Sequence, residues 1–286
     1  MKKVRIMMWS VLCGLASTVF AAQDGEVELR IVHTNDTHSC VMPVNPNSSD
    51  TALADKGGFV RRAALVRDLR AEDPDLLLFD SGDFSQGSAY YNLYKGDVEV
   101  KLMNEMRYDA ATIGNHEFDF GLDNMARIFR EATFPIVCAN YHFEGTVLEG
   151  LVRPYVILER KGVKVGVFGL GTQLEGMVAS ENYKGVTYED PVTAANRVAD
   201  ELKNKEHCDL VVCLSHLGWD IDGLDDTELV SATRHIDIVL GGHSHTYFEH
   251  PEVLKNADGE DVYCNQMGKH GRYVGMLLLE MSPTGD

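Results

Sequence analysis

Five short apolar runs in this 286-residue sequence end alike. Residues 28–33 (ELRIVH) run into Thr34-Asn35-Asp36-Thr37-His38, 75–79 (DLLLF) into Asp80-Ser81-Gly82-Asp83, and 110–113 (AATI) into Gly114-Asn115-His116-Glu117. Residues 210–214 (LVVCL) run into Ser215-His216-Leu217-Gly218, and 236–240 (IDIVL) into Gly241-Gly242-His243-Ser244-His245. Short apolar stretches bounded by Gly, Asp, Asn and Ser are what buried strands look like in sequence. Ligands of α/β sheets gather at the carboxyl ends of strands, so each run delivers a carboxylate, amide or imidazole to one rim.

Helical periodicity fills the intervals. Phe59, Ala63, Val66 and Leu69 mark a helix over 58–72. Further helices are expected at 98–106, 122–131, 192–205 and 227–234, and further strands at 135–139, 163–170, 262–264 and 273–281. Strand and helix alternate through most of the chain, which predicts an α/β class, and the strand-rich end makes the sheet mixed. No repeat, linker or low-complexity stretch interrupts this, so one domain is expected. With 44% hydrophobic and 24% charged residues, the composition excludes a disordered chain, a collagen-like repeat and a disulfide-dense miniprotein. A formal charge of −18 leaves no basic surface to displace counterions, which excludes a nucleic-acid polymer as partner. A chain this acidic must recruit cations to handle an anionic substrate.

One Asp or Asn after a strand is ordinarily a turn former or helix cap, and one His is ordinarily a hydrogen-bonded surface residue. Four imidazoles and two carboxylates on one rim would repel or stand unsatisfied without a cation. In Asp36-Thr37-His38 and His243-Ser244-His245, alternate residues of an extended segment point the same way, so each pair can grip one ion. Asp36, His38, Asp83, Asn115, His216, His243 and His245 are too many donors for one ion and suit two. The imidazole-rich mixture favours zinc, manganese, cobalt or iron over magnesium or calcium. Two such ions about 4 Å apart can clamp the attacking and departing oxygens of a phosphoryl displacement.

These endings, in this order, resemble the metallophosphoesterase superfamily, whose pattern is Asp-x-His, Gly-Asp, Gly-Asn-His-Glu, a lone His, then Gly-His-x-His. Within it, residues 57–88 (GGFVRRAALVRDLRAEDPDLLLFDSGDFSQGS) and 108–121 (YDAATIGNHEFDFG) resemble the secreted 5′-nucleotidase and UDP-sugar hydrolase family. The resemblance implies a four-layer sandwich, two mixed β-sheets flanked by helices. It implies that Asp36, His38 and His245 bind one metal ion, that Asn115, His216 and His243 bind the other, and that Asp83 bridges them. It makes His116 and Asp119 the catalytic pair. His116 follows a metal-bound Asn and can stabilise phosphoryl oxygens or protonate the departing alkoxide. Asp119 either turns back to fix the imidazole or caps the helix starting near Leu122; Glu117 and Asp123 read as structural.

The implied reaction is hydrolysis of phosphate monoesters, foremost nucleoside 5′-monophosphates, by water activated on the two ions. The alternatives are phosphodiester or pyrophosphate cleavage, as on cyclic nucleotides or UDP-sugars, and a metal-binding module active only with a partner. Full-length members of the family continue into a second domain that binds the nucleoside. Residues 22–286 therefore read as the catalytic domain alone, with a separate nucleotide-binding polypeptide as candidate partner. Residues 1–21 read as a cleaved secretory signal: Lys2, Lys3 and Arg5 precede an apolar run that ends in small residues at Ala21 and Ala22. A periplasmic or secreted protein without a membrane span is expected. Of the five later cysteines, Cys138, Cys213 and Cys264 sit in strand-like runs and read as core residues.

Overall fold

The computed structural model describes residues 4–8, 27–49, 51 and 53–281. In chain order the strands are β1 (Val4–Met8), β2 (Val27–Thr34), β3 (Leu77–Asp80), β4 (Ala110–Ala111), β5 (Ile136–Val137), β6 (Tyr141–His142), β7 (Val152–Arg153), β8 (Tyr155–Arg160), β9 (Val163–Gly171), β10 (Thr187–Tyr188), β11 (Leu210–His216), β12 (Ile238–Leu240), β13 (Glu252–Lys255), β14 (Asp261–Asn265) and β15 (Gly275–Met281). The helices are α1 (Phe59–Glu72), α2 (Ala89–Tyr94), α3 (Asp97–Met106), α4 (Gly121–Glu131), α5 (Pro191–Asp200) and α6 (Asp226–Ala232).

Two mixed sheets carry the architecture, ordered β1-β15-β2-β3-β4-β5-β7 and β13-β14-β12-β11-β9-β8, with β6 and β10 as a separate ladder. The period-2 alternation of strand side chains decides how they stack. Leu29, Ile31, Leu77 and Phe79 of the first sheet meet Val165, Val167, Leu210, Val212, Leu214, Ile238 and Leu240 of the second in one buried cluster. The alternate residues Val32 and Leu78 face Val66, Met103, Ile128 and Phe129 of α1, α3 and α4. Val211, Cys213 and Val239 face Ala194, Val198, Leu229 and Val230 of α5 and α6. The layers run helix, sheet, sheet, helix, as the resemblance implied.

In the first sheet β2, β3, β4 and β5 run parallel, and in the second β9, β11, β12 and β14 do. Their carboxyl ends bring the loops 34–40, 80–87, 114–118, 216–219 and 241–246 together.

Two helix starts show how the sequence sets these elements. The Asp225 carboxylate accepts the Thr227 and Glu228 N–H groups at the start of α6, and Asp190 caps Thr193 in α5, where Pro191 holds the first position. Expected and observed elements differ in places. The helix expected over 192–205 ends as α5 at Asp200 and continues as a π-turn over Glu201–Lys205. The run 110–113 contributes only Ala110–Ala111 to the ladder. Neither α2 nor the edge hairpin strand β8 announces itself in the sequence, because a six-residue helix is too short for periodicity and β8 is half-buried along nearly its whole length.

Of the presumed signal segment, only Val4–Met8 is described, as an edge strand antiparallel to β15; the rest lies outside the described residues. Among the described residues no helix is long and apolar enough to cross a membrane. The cysteines at 40, 138, 208, 213 and 264 are free thiols, all but Cys40 buried.

Candidate metal centre

The loops meeting at this rim are held in strained backbone. Asp36, His38, Asp83, His243 and His245 all have positive φ, between 43° and 72°. Each such residue costs about 1–3 kcal/mol and persists only where its surroundings over-determine it. Here the loops after β2 and β3 are zipped together: the N–H groups of Asp36, His38 and Ser39 donate to the carbonyls of Gly82, Asp83 and Phe84 at 2.9, 3.0 and 2.9 Å. The His243 N–H donates to the Asp36 carboxylate at 3.0–3.1 Å. Gln266 donates to the Gly242 carbonyl and accepts from the Ser244 hydroxyl and Thr246 N–H. The crowding explains a glycine: a Cβ on Gly114 would lie 2.1 Å from Asp83 Oδ1.

All seven expected donors converge. Three groups share members, and within each the donor atoms lie within 4.8 Å of one another: Asp36, His38 and His245; His38, Asp83 and His116; Asp83, His216 and His243. Asn115 joins the last, its Oδ1 lying 3.0 Å from His243 Nδ1. Asp83 therefore stands between the two ends of the cluster.

The donor atoms ask for cations. His216 Nδ1 donates to the Ser81 carbonyl at 2.7 Å, which leaves Nε2 to take a proton or a metal ion. That atom is buried, has no hydrogen-bond partner, and lies 3.1 Å from Asp83 Oδ2. With the ring neutral, two acceptors at that distance repel, and a proton or a metal ion on Nε2 removes the repulsion. Burial opposes a charge on His216, yet Asp83 outweighs it and pushes the imidazole up to about 10. Burial likewise opposes the Asp83 charge, but His216, His116 and His38 hold its carboxyl well below the usual range. At the other end His38 Nε2 and His245 Nε2 approach to 3.0 Å, and His245 Nε2 lies 3.4 Å from Asp36 Oδ1. A mixed imidazole–carboxylate set of this kind suits divalent transition metals.

His116 sits at the edge of the cluster, its ring 5.5 Å from that of His38 and its N–H on Asp83 Oδ1 at 2.9 Å. His116 Nδ1 lies 3.1 Å from Asp119 Oδ2, and this hydrogen bond raises the imidazole above its ordinary value against the opposing effect of burial. Asp119 is not a helix cap: α4 begins at Gly121, with Phe120 in the capping position and no side-chain cap.

The pattern of the family described as calcineurin-like phosphoesterase matches residues 29–247. The chain belongs to this family. It is 32% identical to human 5′-nucleotidase over 296 residues, covering 97% of this chain and 50% of that protein. Among solved structures it resembles a 5′-nucleotidase precursor from Thermus thermophilus (TM-score 0.79, 33% identity, 88% of this chain and 51% of that one). It also resembles the NAD nucleotidase of Haemophilus influenzae (TM-score 0.79, 27% identity, 91% and 48%). The chain spans about half the length of the curated relatives it matches.

This phosphoesterase centre also rests on residues the sequence reading left without a task or named only as structural. Glu117, buried, accepts N–H groups from Asp83 (3.0 Å), Ser85 (3.0 Å) and Gly114 (2.7 Å), tying two donor loops together; Asp123 is exposed. Asn35 donates to Asp36 Oδ2 and to the Gly268 carbonyl and accepts the Met267 N–H. Gln266, Gly268 and His270 lie beyond β14, a sixth strand whose ending carries polar residues to this rim. That repetition was the available signal.

Proposed function

We propose that this phosphoesterase hydrolyses phosphate monoesters, foremost nucleoside 5′-monophosphates, at a centre holding two divalent ions. The observation that carries the reading is the convergence of seven donors from five loops beside an imidazole backed by a carboxylate. In this reading Asp36, His38 and His245 hold one ion, Asn115, His216 and His243 the other, and Asp83 reaches both. Zinc, manganese, cobalt and iron fit the donors better than magnesium or calcium. When bound, such a pair makes water nucleophilic near neutral pH and neutralises phosphate charge that a chain at −18 repels.

The chain's own residues do the rest. His116 hydrogen-bonds Asp119 through Nδ1, so its protonated form presents Nε2–H to a phosphoryl oxygen or to the departing alkoxide. Asp119 keeps the ring in that orientation and stabilises the imidazolium. Asp83 is fixed by the His116 N–H so that its second oxygen faces His216.

The proposed setting is outside the cytoplasm, supported by the signal-like first 21 residues and by snake venom 5′-nucleotidase among the relatives. A nucleotide-binding unit, on this or a separate polypeptide, would complete base recognition. The test is turnover by purified protein loaded with Zn²⁺, Mn²⁺ or Co²⁺, comparing the rate of phosphate release from AMP with the rates of nucleoside monophosphate formation from a cyclic nucleotide and from UDP-glucose. Fastest release from AMP supports the reading. No release from AMP or an aryl phosphate, with two ions per chain confirmed by elemental analysis, overturns it.

A further inference from the structure

The ending of β14 brings to the metal centre an imidazole that the reaction proposed above does not use. His270 lies in left-handed backbone (φ 65°), its N–H donates to the Asp36 carbonyl at 2.7 Å, and its ring stands edge-on to His38 at 5.8 Å. The loop carrying it packs on Arg62 so closely that a Cβ on Gly271 would lie 1.7 Å from the guanidinium. His270 Nδ1 lies 3.0 Å from Arg272 Nη2. A guanidinium has donors and no acceptor, so Nδ1 accepts and the ring proton resides on Nε2.

That tautomer decides what the ring can do. A metal ion needs a lone pair, which Nε2–H lacks, and His270 belongs to none of the three donor groups. An oxyanion needs a donor. His116 and His270 thus flank His38 with opposite backing, a carboxylate behind one and a guanidinium behind the other. In a chain with a formal charge of −18, Lys269 and Arg272 also place two cationic residues on either side of His270.

We propose that His270 is a substrate-binding residue, its Nε2–H donating to a non-bridging oxygen of the bound phosphate ester, with Arg272 the positioning residue that fixes the tautomer. This deepens, and rests on, the phosphoesterase reading above.

The test uses His270→Phe, which keeps a ring and removes the donor, and His270→Gln, which restores an N–H at similar reach. Metal content is read by elemental analysis, inorganic phosphate binding to the metal-loaded protein by calorimetry, and KM and kcat on an aryl phosphate. Expected is unchanged metal content in both variants, with phosphate affinity and KM roughly tenfold weaker in His270→Phe, the loss of one charge-assisted hydrogen bond. The change in kcat should be under about threefold, and His270→Gln should recover most of the binding. Unchanged phosphate affinity in His270→Phe, loss of one ion equivalent, no recovery in His270→Gln, or no phosphate binding by the wild type overturns the proposal. Wild-type protein that binds phosphate but cleaves no ester defeats the reaction reading alone, because the calorimetric comparison still decides the role of His270.

Discussion

Replacing Glu117 with Gln probes whether the donor loops are set by the protein. Its Oε2 takes the Asp83 and Gly114 N–H groups, and its Oε1 takes that of Ser85. An amide has one acceptor oxygen. If that oxygen keeps the two bonds at Oε2, each loses charge assistance, about 1 kcal/mol apiece. The amide nitrogen then faces the Ser85 N–H, donor against donor, leaving a buried group unmet at about 1–3 kcal/mol. Relief works the other way: burial first, and Asp83 second, push the Glu117 carboxyl up to about 7, and an amide feels neither. The losses come to about 3–5 kcal/mol and the relief, from the ordinary 4.5 to about 7, to about 3 kcal/mol, so the balance is a loss of at most about 2 kcal/mol. Because Asp83 belongs to two donor groups, loosening its loop should also weaken metal affinity, by up to roughly 30-fold for that energy. Urea unfolding of metal-free Glu117→Gln should show a lower midpoint at unchanged slope, and metal titration calorimetry the weaker binding. Lower stability with unchanged metal affinity would refute the argument and make Glu117 a prop of the fold alone.

Two further outcomes follow from the same geometry. His116→Ala should keep its metal content and lose roughly 10²–10⁴-fold in kcat, the usual worth of a positioned acid; equal loss of metal and activity would show His116 to be a structural neighbour. Metal-free protein should lose stability between about pH 4 and 8 through Asp80, whose carboxyl burial pushes up to about 8 despite hydrogen bonds from Thr34 and Gly82. The folded state then holds a proton that the unfolded chain releases, so this contribution is complete below the ordinary carboxylate range and is lost as pH rises to 8, at up to about 1.4 kcal/mol per pH unit. Asp80→Asn, which can still accept from Gly82 and pair with Thr34, should flatten that slope in urea unfolding, and a slope the substitution leaves unchanged would refute the assignment.

What could be read from the sequence was what local pattern encodes. Leu29, Ile31 and Val32 alternate between the inter-sheet core and the helix face because a strand has period two. The seven donors were legible because they stand directly after the runs that become strands, and α/β topology sends those ends to one rim. The role of Asp119 was not: capping and imidazole pairing fit the same spacing, and only the start of α4 after Phe120 separates them. Asn35 was in plain view beside Asp36, but its work is to join residues 267 and 268, more than 230 positions away. Gln266 and His270 act in the same way, through backbone groups on other loops, and no local periodicity reports such contacts.

The strained backbone ties these observations into one account of how the site is made. Five of the seven donors have positive φ, a cost of several kcal/mol concentrated in a few loops. No isolated loop of this sequence would hold that conformation. Each is restrained by another: the loop of Asp36 by that of Asp83, the loop of His243 by the Asp36 carboxylate, the loop of Asp83 by Glu117. The restraints are neutral or anionic groups of the chain itself, so the loops hold one another in place through their own hydrogen bonds. His270 obeys the same rule, with a left-handed backbone pinned by the Asp36 carbonyl, and differs only in where its proton sits. That difference suits this further imidazole of the rim to a phosphate oxygen rather than to a metal ion.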